Sequence, residues 1–202
     1  MAALGRGAVK RPRWRGWPFW VFLAAAVFAA PAGRLPAAEP SANKEYRVKA
    51  TYLFNFAKFV EWPPPAFAES ATPIRIGVLG NDDFGLFLDQ LVQGETVKGH
   101  PLVVKRSRLV EELKTCHILF ISKSEANRID QILTALGDAG VLTVSESDGF
   151  AERGGIVNFF IEGNKVRFEI NPAAARRREL KIGSQLLSLA RIVSPTDEKE
   201  KP

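Results

Sequence analysis

Side chains able to attack, exchange protons or hold a metal are few in this chain. Among its 202 residues there are one cysteine, Cys116, and two histidines, His100 and His117. Cys116 and His117 open the apolar run CHILFIS, and neighbours along a strand point to opposite faces, so this thiol and imidazole do not make a nucleophile and its base. His100 stands between Gly99 and Pro101, a setting that predicts a turn. Three such residues give no metal-ligand spacing. Gly77, Gly80 and Gly85 do not form the GxGxxG pattern that cradles a phosphate. Asp82 and Asp83 follow an apolar run as in a phosphate-receiving signalling domain, but the strand HILFIS ends in Ser122 and Lys123, where that domain needs an aspartate. Helix capping accounts for both acids. No catalytic residue, metal site or cofactor is expected.

Binding groups are more abundant. The stretch YLFNFAKFVEWPPP, residues 52–65, holds five aromatic rings in fourteen positions. Tyr52, Phe56 and Phe59 fall at i, i+4 and i+7 of a helical pattern, beside a second apolar stripe of Leu53, Ala57 and Val60, and Trp62 follows. Either both stripes are core, or the ring-bearing one packs against a second copy or a partner, as exposed aromatic patches do. Charged candidates lie near the C-terminus. Arg167 and Glu169 fall on the outward face of a strand, where solvation is the default. Arg176, Arg177 and Arg178 precede Glu179 close to the expected start of the last helix, where cations oppose the helix dipole. That placement hints at an acidic partner or an internal ion pair.

These residues need elements to position them. Helical spacing covers Lys44 to Glu61, and Pro63 is expected to end it. IRIGVLG (74–80), PLVVKR (101–106), HILFIS (117–122) and VLTVS (141–145) read as strands. Between them come the helical FGLFLDQLV after Asn81–Asp83, and EANRIDQILTALG, capped by Ser124 and closed by Gly137. Such alternation predicts crossover connections. IVNFFIE and KVRFEIN are joined by Gly163-Asn164, a hairpin dipeptide, with Val166, Phe168 and Ile170 on one face. After Asn171-Pro172 a long helix is expected to about Val193, with Ile182, Leu186, Leu189 and Val193 along one side. The fold class is α/β: a mixed, largely parallel sheet flanked by helices, with a C-terminal β-hairpin and a long final helix.

Charge and composition bound the rest. A 46% hydrophobic, 25% charged chain suits one globular domain with a real core. The net charge of +6 is concentrated: Arg6, Lys10, Arg11, Arg13 and Arg15 precede an apolar run from Trp17 to Ala30 and small residues at Ala30-Pro31-Ala32, the layout of an export signal. Cleavage after residue 32 removes five cations from +6 and leaves +1; cleavage after Ala38 also removes Arg34 and leaves zero. Without a net basic field, nucleic acid is not an expected partner. Residues 1–38 are therefore read as signal peptide and lead-in, 44–193 as a single domain and 194–202 as a polar tail, in a protein of the periplasm. A lone Cys116 permits no internal disulfide; it reads as a core residue, with an intermolecular bridge as the alternative.

Read together, YLFNFAKFVEWP, CHILFIS and GGIVNFFIEGNKVRFEINPAAARRRELKIGSQLLSLARIV resemble the YfiR family of exported bacterial regulators, from about Tyr46 to Val193. The hairpin-and-helix block is the specific part; the middle strands are generic. The resemblance implies a non-catalytic periplasmic repressor, without cofactor, that binds the periplasmic domain of an inner-membrane diguanylate cyclase and so restrains cyclic di-GMP signalling and biofilm formation. It implies no catalytic residues. Redox control through internal bridges, found in some members, is not expected with one cysteine. Tyr52, Phe56, Phe59, Trp62, Arg167, Glu169, Arg176 and Arg177 are the expected contacts to that partner, with a homodimer also expected. The alternative is a small-ligand sensor or solute-binding module, using a crevice at the carboxyl ends of the parallel strands lined by Gly80–Phe84, Ser122–Ser124 and Ser145–Asp148.

Overall fold

The computed structural model describes the backbone of residues 41–67, 69 and 71–194, and their side chains from residue 44 onward. The expected export segment and the tail beyond residue 194 lie outside the described residues.

Its centre is a sheet whose interior strands read as continuous apolar runs because both faces are covered. Strand β2 (Ile74–Leu79) lies between β4 (His100–Ser107) and β5 (Ile118–Ile121), and β6 (Leu142–Ser145) follows β5, all parallel. β7 (Val157–Glu162) adds in parallel to β6, and β8 (Lys165–Ile170) returns antiparallel beside it. Short β3 (Thr96–Val97) and β10 (Arg191–Ile192) complete the order β10-β8-β7-β6-β5-β2-β4-β3. The β7–β8 turn uses Gly163 and Asn164 at φ of 55° and 59°, the left-handed pair a two-residue hairpin turn requires. His100 is the first residue of β4 rather than part of the preceding turn, which Lys98 and Gly99 make at positive φ.

Alternation along β5 divides the core. Ile118 and Phe120 join the cluster under α1 (Ser41–Phe59) and α2 (Leu86–Val92), while Leu119 and Ile121 join the one under α3 (Ile129–Leu136). Ser124 does not cap α3: a 3-10 turn over Lys123–Arg128 precedes the helix, Ser122 caps that turn by accepting the Ser124 N–H, and α3 itself begins after Arg128 with no side-chain cap. Gly137 closes α3 at φ 55°. Helix α1 ends four residues before Pro63, because Val60–Glu61 turn extended as β1 and pair with β9 (Lys181–Ile182).

The long final helix is the main correction. It is broken into α4 (Pro172–Arg177), β9, α5 (Ser184–Leu189) and β10. Asn171 caps α4 by accepting the Ala174 N–H at 2.9 Å. The stop is a Schellman turn: Glu179 N–H bonds the Arg176 carbonyl, Leu180 N–H bonds the Ala175 carbonyl, both at 3.0 Å, and Glu179 sits left-handed at φ 57°. The Gly183 N–H then bonds the Phe59 carbonyl at 2.8 Å, so close that a Cβ there would meet that oxygen at 3.0 Å.

Candidate functional site

The ring-rich helix and the hairpin create the site. On α1, Lys44, Val48, Tyr52 and Phe56 share one face at four-residue spacing. At its deep end Phe56, fully buried, stacks on Phe159 at 5.9 Å and meets Phe168 edge-on at 5.5 Å. Tyr52 meets the same two rings at 5.8 and 5.1 Å. Toward its N-terminus the helix leaves the hairpin tip, and a groove of 710 Å³ opens between them. Val48, Tyr52, Ile161 and Val166 form its apolar part, with Val48 43% and Ile161 51% exposed. Lys44, Lys165 and Arg167 contribute three cations to the lining against the single carboxylate of Glu45, which already faces Lys49. Such a surface suits an apolar segment that carries acidic side chains.

A second concavity, 580 Å³, lies at the carboxyl ends of the parallel strands. Asp83, Lys123, Glu146 and Asp148 line it from the loops after β2, β5 and β6. Sequence reasoning missed the contribution of α1. Lys49, 2% exposed, bridges Glu45 and Glu146, and the Tyr46 hydroxyl donates to Glu146 Oε1 at 2.7 Å. Burial, then the Glu146 carboxylate, pushes that hydroxyl's pKa up, so Tyr46 stays a donor. The i,i+4 pair Glu45 and Lys49 was the available signal, but it looks like any surface helix pair.

The remaining expected contacts scatter. Phe56 is sealed in the core, so it cannot be a contact residue: its partners Phe159 and Phe168 come from a hairpin a hundred residues away. Phe59, 37% exposed, is near the other end of α1. Trp62 is half-buried, donating from Nε1 to the His117 carbonyl at 3.1 Å. Glu169 accepts from Asn158 at 3.1 Å and lies 3.9 Å from Arg191, which ties it to its own sheet. Arg176 and Arg177 are exposed, but in the last turn of α4, where cations suit the dipole. The expected start-of-helix position is therefore corrected, and the dipole gives no reason to assign these arginines an acidic partner. Arg178 is instead 6% exposed, with its guanidinium against the Gly154 and Ala174 carbonyls and Nε unpaired.

Cys116 is buried beside Gly77, whose absent side chain leaves room for the sulfur, and burial raises its thiol pKa. Among the described residues no three His, Cys, Asp or Glu side chains gather to hold a metal. No helix among them is long and apolar enough to cross a membrane.

A family model described as YfiR/HmsC-like matches residues 46–191, well over half of the chain. The crystal structure of a conserved domain protein from Vibrio cholerae O1 biovar El Tor is similar at a TM-score of 0.47 and 14% sequence identity, over 72% of this chain and 59% of that one. The chain thus spans less than two thirds of the length of that solved structure. No curated protein matches.

Proposed function

We propose that the chain, which belongs to the YfiR/HmsC-like family, is an exported regulator that binds the periplasmic domain of an inner-membrane diguanylate cyclase and restrains it. Family membership favours a periplasmic regulator over a catalyst, and the signal-like layout of residues 1–38 supports export. The observation that carries the contact is the groove between α1 and the β7–β8 tip: exposed Val48 and Ile161 beside Tyr52, with Lys44, Lys165 and Arg167 around them. An apolar segment of the cyclase bearing acidic residues is its occupant. Repression follows if the groove fits the inactive form of the cyclase better than the active one, since only that difference in affinity shifts the equilibrium, commonly by about 1 to 3 kcal/mol.

The test compares cellular cyclic di-GMP when the native protein and Ile161→Glu are overproduced in the host. Native protein should lower it severalfold, while the variant, with a carboxylate in the apolar wall, should not. Equal lowering by both would remove the groove from the interface, and no lowering by either would sink the regulator reading.

A small-ligand sensor is the second reading, favoured by the 580 Å³ crevice and its buried Lys49. It requires that a small molecule raise the melting temperature of the native protein and not that of Asp148→Asn.

A further inference from the structure

Residues Trp62–Phe67 follow β1, and both histidines of the chain hold them. Phe67 is the middle ring of a stack, 4.2 Å from His100 with 24° between planes and 4.7 Å from His117 at 16°. Trp62 closes the stack edge-on, 5.7 Å from His117. His117 itself is 4% exposed. Its Nδ1 accepts the backbone N–H of Arg75 at 3.1 Å, which assigns the ring proton to Nε2, 3.1 Å from the Ala66 carbonyl. The ring is thus used as a neutral imidazole at both nitrogens, and a second proton has no place except Nδ1, where it would confront an N–H. His100 differs: its Nδ1 lies 2.8 Å from the Thr72 carbonyl and can donate there in either charge state.

The surroundings give an imidazolium at 117 no counter-charge. Arg75 faces it from β2, His100 from β4, and Lys114 and Cys116 from the turn before β5. Lys114 pairs outward with Glu111 at 2.7 Å, and no carboxylate lines the 360 Å³ cavity beside the ring among the described residues. Burial first, then Arg75 and His100, holds His117 below the usual 6.5, against the Ala66 carbonyl that favours the charged form.

We propose that the His100–Phe67–His117 stack is a proton-operated latch: a proton taken from solvent by His117 Nδ1 breaks the Arg75 hydrogen bond, and the buried imidazolium, with no counter-charge beside it, is relieved by opening of the Trp62–Phe67 segment that covers it. The sign follows from linkage. A group whose folded-state pKa is depressed contributes in full above its free value and loses that contribution as pH falls. Below about pH 6.5 the open form therefore grows, by up to about tenfold per pH unit. The device requires neither the groove nor a cyclase, and it stands or falls separately from them.

Trp62 is its reporter. The chain has 4 tryptophans, and replacing Trp14, Trp17 and Trp20 by Phe leaves Trp62 as the sole indole. Its emission, scanned from about pH 8 to about pH 5, should shift with a midpoint below 6.5. The shift should vanish in His117→Asn, whose amide oxygen can still accept from Arg75 without titrating, and should persist in His100→Asn. A flat native profile, or an unchanged transition in His117→Asn, overturns the latch. If His117→Asn does not fold, the native imidazole signal followed by NMR decides: titration in step with the emission supports the latch, and titration at or above 6.5 overturns it.

Discussion

Phe56 and Phe59 separate the two readings of the aromatic run. Their spacing on the helix is equivalent, and nothing local to the sequence says that Phe159 and Phe168 will cover one and leave the other 37% exposed. Phe56→Ala should cost about 3 to 5 kcal/mol, as expected for emptying a sealed aromatic site. Phe59→Ala should cost well under half of that, and urea unfolding of the two variants checks both values. An equal loss would mean that Phe59 is as deep as Phe56. The arginine run shows the same limit of local reading. Arg176, Arg177 and Arg178 are alike as letters, yet the turn that ends α4 exposes two and buries the third. Burial of Arg178 rests on the Gly154 loop, which no spacing rule connects to it.

At the scale of elements, what was legible had a local cause. The hairpin announced itself through Gly163-Asn164, and the interior strands through unbroken apolar runs that only a doubly covered sheet tolerates. Helix boundaries fared worse where the cause was tertiary. α1 stops early because Val60–Glu61 pair with β9, and the last helix stops because Glu179 adopts a conformation that glycine usually supplies. A side chain at left-handed φ carries a penalty that glycine avoids. Glu179→Gly should therefore raise stability by roughly 0.5 to 1 kcal/mol, read as a higher urea midpoint with unchanged slope. A lower midpoint would show that the Glu179 side chain has a stabilising role of its own. Of the candidate site, Tyr52 and Arg167 were both singled out and do meet at one groove. Val48, Ile161 and Lys44 were not, because isolated exposed residues become a surface only once the helix and the hairpin tip are brought side by side.

For the molecule as a whole, charge and sheet order place the two concavities. The basic balance of the sequence sits in its first fifteen residues, and three of the remaining cations, Lys44, Lys165 and Arg167, line the groove. Two concavities then flank the N-terminal half of α1: the groove on its hairpin side, and the crevice at the strand ends with Lys49 at its base. Glu45 and Ile161 line both. The central claim is that the groove is where a membrane partner binds. Site-specific photocrosslinking in the host tests it most directly, with a photoreactive residue replacing Ile161 in the groove or Leu109 in the loop before the α3 side of the sheet. The account predicts that the probe at 161 captures an inner-membrane protein carrying a diguanylate cyclase domain and that the probe at 109 does not. Capture from 109 alone, or from neither position, would contradict it.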